Sequence, residues 1–287
     1  MQFGLSEEQI LLQDNVKRFL NDNVALERVR KYAEGNSDTD IWAGLSELGI
    51  AALLIPEEFG GIGMSTLDAA VVAECLGSNV APTPFLGSAV MAPTALIASG
   101  GDHGAMLAQL AAGTQRIGIA FGEAIKRRNS AGLQVRNGRM NGTSLFAFDA
   151  DADSYLVADQ NMHLYLVSAN AQGLTRSELT TVDKTRRTVE LTYKDVEATR
   201  ISTDVSVFET TLDIGRIMLA ADTLGAAQNM LDQAVDYAKQ REQFNRPIAS
   251  FQAVKHMCAE MAASLEPCRS MVWFAAHALD DLPDEAR

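Results

Sequence analysis

The feature that most restricts this chain is a pair of long helical runs meeting at one short corner. Phe208, Leu212, Ile217, Ala221, Leu224, Leu231, Val235 and Ala238 recur at helical spacing. Beyond the corner Phe251, Val254, Cys258, Met261, Leu265, Cys268, Val272, Ala275 and Leu279 repeat in alternating steps of three and four. Two such runs joined tightly predict an antiparallel helical hairpin from a bundle. Pro267 falls inside the second run, where it removes a backbone donor and crowds the preceding turn, so a kink is expected there.

The corner itself, "REQFNRPIASFQAVKHM" at residues 241–257, carries more chemistry than a connection needs. Arg241 offers a planar fork of donors suited to phosphate or carboxylate, Phe244 a flat apolar face, and Gln252 an amide that donates and accepts. Together they suit a nucleotide-like ligand. The alternative is plain: Arg241 and Glu242 are solvated helix ends and Phe244 plugs the open end of the hairpin.

The rest of the chain divides by period. Ser6 with Gln9 forms a capping box ahead of a helix bearing Leu12, Val16, Phe19 and Leu20 on one side. Ser65 with Asp68 opens a second helix, which Gly77 is expected to close. "IPEEFGGIGMS", residues 55–65, reads as a Pro- and Gly-rich loop, and further helices are expected from about Pro84 to Ser99 and up to Gly113. From about 115 to 205 the pattern turns to strands. "RIGIAFGEA" and "TVELTYKDV" run apolar or alternate, "VRNGRMNG" holds an Asn-Gly turn, and "DSYLVADQNMHLYLVSA" reads as two strands about a polar turn. The expected class is α+β: a helical domain at 1–113, a β domain at 114–205 and helices at 206–287.

Charge and cysteine content narrow the function. A net charge of -13 argues against a nucleic-acid or anionic-membrane surface, which needs clustered cations to displace counterions. Cys75, Cys258 and Cys268 have no metal-like spacing and are expected in the core of a reduced, cytoplasmic protein with no metal. "MQFGLSEEQILLQDNVKRF" lacks the apolar centre of a signal peptide, and no run is long enough to insert in a membrane.

Four stretches in order carry a family resemblance: "IPEEFGGIGMS", "DKTRRTVELTYKDV", "LDIGRIMLAADTLGAAQNML" and "YAKQREQFNRPIASFQAVKHMCAEMA". With them the chain resembles the acyl-CoA dehydrogenase family along essentially its whole length. The resemblance implies an N-terminal helical domain, a middle β-barrel-like domain and a C-terminal helical bundle, with FAD between the last two and reaching an adjacent subunit. It implies an acyl-CoA substrate and a homo- or hetero-oligomer, dimer or tetramer. By position Arg241 matches the arginine that contacts FAD, often at its diphosphate, Gln252 the glutamine that helps hold it, and Phe244 the aromatic beside them. Asn245 stands where glycine is usual, a tolerable change where the backbone is left-handed, since Asn enters that region readily. "LDIGR" matches the acyl-CoA contact segment, placing Asp213, Gly215 and Arg216 toward substrate, with an ordinary helix-start salt bridge between Asp213 and Arg216 as the alternative.

Departures from the family pattern bear on catalysis. The family reaction takes the α-proton of an acyl-CoA with a glutamate while the β-hydrogen leaves as hydride to the flavin. Most members carry that base well beyond the corner motif, past Arg287. A minority carry it in the segment matching "LDIGR", where this chain has Gly215; Glu209 and Asp222 lie about two helical turns away. In the flavin loop, matched by "FGEAIKRRNSAG" at 121–132, Glu123 is kept but the hydroxyl, the proline and the Gly-Ser-Asp are not. Lys126, Arg127 and Arg128 either meet phosphates or form a solvated turn, and Phe146 or Phe148 stands in for the tryptophan that often shields the flavin. His256 is expected to be a structural histidine. The leading expectation is FAD-dependent α,β-dehydrogenation of an acyl-CoA. The alternatives are a non-catalytic subunit completing a partner's flavin site, of the kind that trims steroid side chains, or a fragment with an incomplete bundle lacking the base.

Overall fold

The computed structural model describes residues 4–125 and 132–282. The chain divides into two compact units, each drawn from separated segments: Met1–Leu26, Thr66–Ala81 and Arg216–Arg287 make one, Glu27–Ser65 and Pro82–Gly215 the other.

The first unit is helical. Its helix α1 (Glu7–Asn23) starts at the expected capping box, in which the Gln9 amide N–H donates to Ser6 Oγ at 3.2 Å and the Ser6 N–H donates to Gln9 Oε1 at 3.0 Å. Helix α4 (Thr66–Ser78) is buried along almost its whole length, from Thr66 to Gly77, as an all-round apolar helix must be. Gly77 therefore lies inside this helix and does not close it. Its role is close approach to helix α7 (Val205–Gln240), whose portion from Arg216 onward belongs to this unit. A Cβ at Gly77 would fall 1.9 Å from the Asp222 carbonyl oxygen, and one at Gly225 would fall 1.8 Å from that of Glu74. The two backbones meet at two reciprocal points.

Helix α8 (Gln252–Asp281) runs without interruption through Pro267. It is tied to α4 by polar side chains. Thr66 donates its backbone N–H to Asp280 at 2.7 Å and its hydroxyl at 2.6 Å, so a carboxylate faces the positive end of α4. Arg269 pairs with Glu74 on α4 and donates to Gln228 Oε1 on α7 at 2.9 Å. The apolar stripe expected on α8 is only partly covered: Phe251, Val254, Cys258, Leu265, Val272, Ala275 and Leu279 are half-buried and Met261 and Cys268 exposed, while the enclosed residues of the helix, Ala276 and Ala278, lie off that stripe.

The second unit begins with helices α2 (Leu26–Ala33) and α3 (Thr39–Glu47). The loop at 55–65 holds one 3-10 turn, Glu57–Phe59, and folds back so that the N–H groups of Ile62, Gly63 and Met64 reach the carbonyls of Ala52, Ile55 and Leu53. The helix expected from Pro84 to Ser99 is two different helices end to end. Phe85–Met91 is π-helical and passes directly into α5 (Ala92–Ala98); α6 (Gly104–Ala111) follows.

Among the described residues, eight strands complete this unit in two four-stranded sheets. One has the order β1 (Ile117–Ala120), β4 (Ser154–Ala158), β5 (Leu164–Ser168) and β8 (Thr199–Ser202). The other has the order β2 (Gln134–Arg136), β3 (Arg139–Phe148), β7 (Thr188–Glu197) and β6 (Leu174–Leu179). The β2–β3 turn is Asn137-Gly138, both at positive φ, as the sequence predicts. Tyr155, Val157 and Val167 from one sheet share a core with Met140, Leu191, Tyr193 and Val196 from the other. A second core joins Met91, Leu96, Leu107 and Leu110 to Ile117, Ile119, Phe121 and Leu156, and takes in Val207 and Phe208 from the start of α7.

Candidate functional site

The corner between α7 and α8 is a β-hairpin. Strands β9 (Glu242–Gln243) and β10 (Arg246–Pro247) pair antiparallel, Gln243 opposite Arg246 and Glu242 opposite Pro247, and the Ile248 N–H donates to the Arg241 carbonyl at 2.8 Å. The two-residue turn has Phe244 at φ +54° and Asn245 at φ +61°. That is the turn in which both central residues are left-handed, the type whose twist suits two-residue hairpins. Asn245 thus has the backbone that makes asparagine a fair replacement for glycine. Phe244 does not gain from it: a left-handed conformation costs such a residue about 1–2 kcal/mol.

Phe244 is also 86% exposed, so it is no plug. Backbone strain and an uncovered aromatic ring coincide at the tip, a combination that points to a contact outside this chain. Its edge meets the Phe251 ring at 6.0 Å and 80°, and the Arg246 guanidinium lies 4.1 Å from the centre of that same ring. Arg241, Gln252 and His256 are all exposed. Helix α8, 30 residues long, starts here with Phe251 at its N-cap, and among the described residues the cap makes no side-chain hydrogen bond to the first amides. Guanidinium forks, helix amides, a side-chain amide and two aromatic faces form a donor set that fits a phosphate-bearing aromatic molecule. The residues present therefore suit FAD, the group the resemblance implies.

The segment Leu212–Arg216 lies inside α7, about two turns from its start at Val205, so it is no helix beginning. Arg216 is exposed and Asp213 half-buried. Gly215 is buried, and a Cβ there would fall 2.8 Å from Met91 Sδ and 2.9 Å from its Cε. The space a side chain at 215 would take is filled by the thioether of the last π-helical residue.

In the second unit Glu123 is buried and accepts the Leu145 N–H at 3.3 Å. Lys126, Arg127 and Arg128 lie outside the described residues. Of the two phenylalanines expected to replace a shielding tryptophan, Phe148 packs on the core, whereas Phe146 sits in a bulge of β3 at φ +57° and is 58% exposed. Sequence reading also missed a buried charge cluster. Arg116 donates to Asp38 Oδ1 at 2.9 Å and to Asp149 Oδ1 at 2.9 Å, and burial pushes the Asp149 carboxyl up in spite of that guanidinium. Both carboxylates are engaged by the one guanidinium, so the cluster reads as a structural knot.

The cysteines differ from the expected core set. Cys75 is buried, and burial pushes its thiol up to about 12; Cys258 is half-buried and Cys268 exposed. Among the described residues no cluster of three or more His, Cys, Asp or Glu is placed to hold a metal, and no helix is long and apolar enough to cross a membrane.

Comparison with known proteins places these features in a family. Residues 6–113 match the family described as acyl-CoA dehydrogenase, N-terminal domain, and residues 205–286 match acyl-CoA dehydrogenase, C-terminal domain. The acyl-CoA dehydrogenase IpdE2 of Mycobacterium tuberculosis is 31% identical over 281 residues, which is 95% of this chain and 76% of that protein. A variant of the Tcur3481-Tcur3483 steroid ACAD has a similar structure, with a TM-score of 0.87 and 26% identity over 96% of this chain and 79% of its own. The ChsE4-ChsE5 complex from Mycobacterium tuberculosis shares the fold, with a TM-score of 0.88 at 24% identity, covering 99% of this chain and 80% of the other.

Proposed function

The chain belongs to the acyl-CoA dehydrogenase family, and from that premise we propose that it binds FAD and serves the α,β-dehydrogenation of an acyl-CoA thioester within an oligomer. In this reading residues 1–113, 114–205 and 206–287 act as the helical, β and bundle domains. The observation that carries the proposal is the exposed hairpin tip, where a strained Phe244, 86% exposed, stands among cationic and amide donors.

Each residue has a part in the proposal. Arg241 neutralises a diphosphate through paired N–H donors, which a point charge such as lysine cannot match geometrically. Gln252 both donates and accepts at the polar edge of the cofactor, and Phe244 covers an apolar face. Their exposure in a single chain favours a cofactor shared with a neighbouring subunit. Asp213, Gly215 and Arg216 face the acyl-CoA, with Arg216 supplying a cation that orients the thioester. Bound FAD supplies the hydride acceptor, a step no amino-acid side chain performs.

A second reading is favoured by Met91. Because its thioether occupies the place where a side chain at Gly215 would project, this segment offers shape to a substrate and no base. The chain then works as the non-catalytic subunit of a heteromer and completes a partner's flavin site. Likeness to the Tcur3481-Tcur3483 steroid ACAD supports a steroid-type substrate for such a pair.

Purified protein is expected to carry or take up FAD, seen as visible flavin absorbance and a rise in thermal midpoint on adding FAD. Arg241→Gln is expected to weaken FAD binding by about 2 kcal/mol, or roughly thirtyfold in Kd, the usual effect of losing a charged hydrogen bond. A wild-type protein that neither holds flavin nor gains stability from it would rule the proposal out. Turnover by the chain alone supports the first reading, and turnover only after mixing with a second dehydrogenase-like chain supports the other.

A further inference from the structure

We propose that Arg246 is a second diphosphate-binding residue of this corner, set on the same face of the hairpin as Arg241 and held ready by the Phe251 ring. The inference rests on the FAD reading above and goes beyond it by adding a residue and the contact that orients it.

The register places the two arginines together. Residues directly opposite one another in an antiparallel ladder share a face, and successive residues alternate. Gln243 with Arg246 therefore occupies one face, Glu242 with Pro247 the other, and the Arg241–Ile248 rung returns to the first. Arg241 and Arg246 become a diagonal pair on a single face, with a typical backbone spacing of about 7–8 Å. Glu242, the one acid of the hairpin, is turned to the opposite side.

Among the described residues neither arginine is engaged in an ion pair with a carboxylate. Two like charges held on one small ribbon repel each other until an anion lies between them. Arg246 has a partner of another kind. Its guanidinium stacks over Phe251, which Phe244 braces edge-on. Stacking uses the flat face of a guanidinium and leaves the N–H groups along its rim free to donate. A carboxylate partner would have consumed those donors. Two rims on one face match two adjacent phosphoryl groups, each able to take a bidentate contact. Strain at Phe244 then has a use, because the left-handed turn is what brings its ring against Phe251 and fixes the stack.

The test is titration of the purified chain with FAD, with riboflavin, which has no phosphate, and with coenzyme A, which has a diphosphate and no flavin. Arg246→Gln is expected to weaken FAD about tenfold or more while leaving riboflavin binding and the thermal midpoint of the ligand-free protein unchanged. Arg246→Lys is expected to recover only part of that affinity, since an ammonium keeps the charge but neither stacks nor forks. Phe251→Leu is expected to weaken FAD severalfold with both arginines intact, since it removes the ring under Arg246 together with its edge contact to Phe244. If Arg246→Gln binds FAD as wild type does while Arg241→Gln loses it, the inference is wrong and the FAD reading stands. If Arg246→Gln loses coenzyme A and keeps FAD, the assignment to FAD is overturned. A wild-type protein that takes up no FAD removes both.

Discussion

Gly225→Ala is expected to cost about 4 kcal/mol of stability, at the severe end of single substitutions and close to the whole margin of a marginally stable domain. The new methyl carbon would sit 1.8 Å from the Glu74 carbonyl oxygen, 2.8 Å from its carbon and 2.9 Å from the Ser78 nitrogen. These are backbone atoms inside a helix, so no rotamer change relieves the contact. Helices α4 and α7 must separate, and α4 is buried on nearly every side, so separation leaves voids along it as well. Gly77→Ala is expected to do the same from the other helix, with its methyl carbon 1.9 Å from the Asp222 oxygen. Because either change opens the same interface, the double variant should lose far less than the sum. Urea unfolding followed by circular dichroism checks this. A loss below about 1 kcal/mol for both single variants would mean that the helices part cheaply.

Glu74→Ala is expected to destabilise by about 2 kcal/mol, because it leaves the Arg269 guanidinium, whose side chain is only 17% exposed, with the Gln228 amide and the exposed Glu266 carboxylate 3.6 Å away as its remaining partners. The reverse change, Arg269→Ala, leaves a carboxylate that is 10% exposed and already has one oxygen, Oε2, without a hydrogen-bond partner. Removing both charges together, as Glu74→Met with Arg269→Met, should recover much of the loss, since the desolvation cost disappears along with the attraction. A double-mutant cycle on unfolding free energies reads this directly. If Glu74→Ala unfolds within about 0.5 kcal/mol of wild type, the pair is a surface contact in all but name.

Much of this structure was legible where one residue type can satisfy one local demand. The Ser6–Gln9 box, the Asn137-Gly138 turn and the left-handed Asn245 follow from short-range chemistry, and the structure has all three. The family motifs at 55–65, 212–231 and 237–262 were legible as well, and the matches at 6–113 and 205–286 take them in. What escaped depends on partners distant in sequence. Gly77 looked like a helix stop because glycine usually is one; only the backbone of α7 explains it. Cys268 and Met261 kept helical spacing on α8, yet spacing says which side they share and not whether anything covers it. Strand β6 is exposed at nearly every position, so it showed no alternation to read. At the candidate site Phe251 counted as one more apolar residue of a helix stripe, which hid its role beneath Arg246.

The π-helical stretch Phe85–Met91 has a consequence for how this chain tolerates change in length. A π turn takes in one residue more than an α turn, so its hydrogen bonds span five residues instead of four. Everything C-terminal to it, beginning with the buried Ala95 and Leu96 of α5, is therefore rotated relative to where an unbroken α-helix would put it. Deleting a single residue within 85–91 would let the segment relax to an ordinary helix with its bonds intact, and local stability would hide the damage. The error would emerge downstream as a phase slip, with Leu96 swung off the core and Met91 withdrawn from Gly215. In this segment the number of residues acts as a setting of angle.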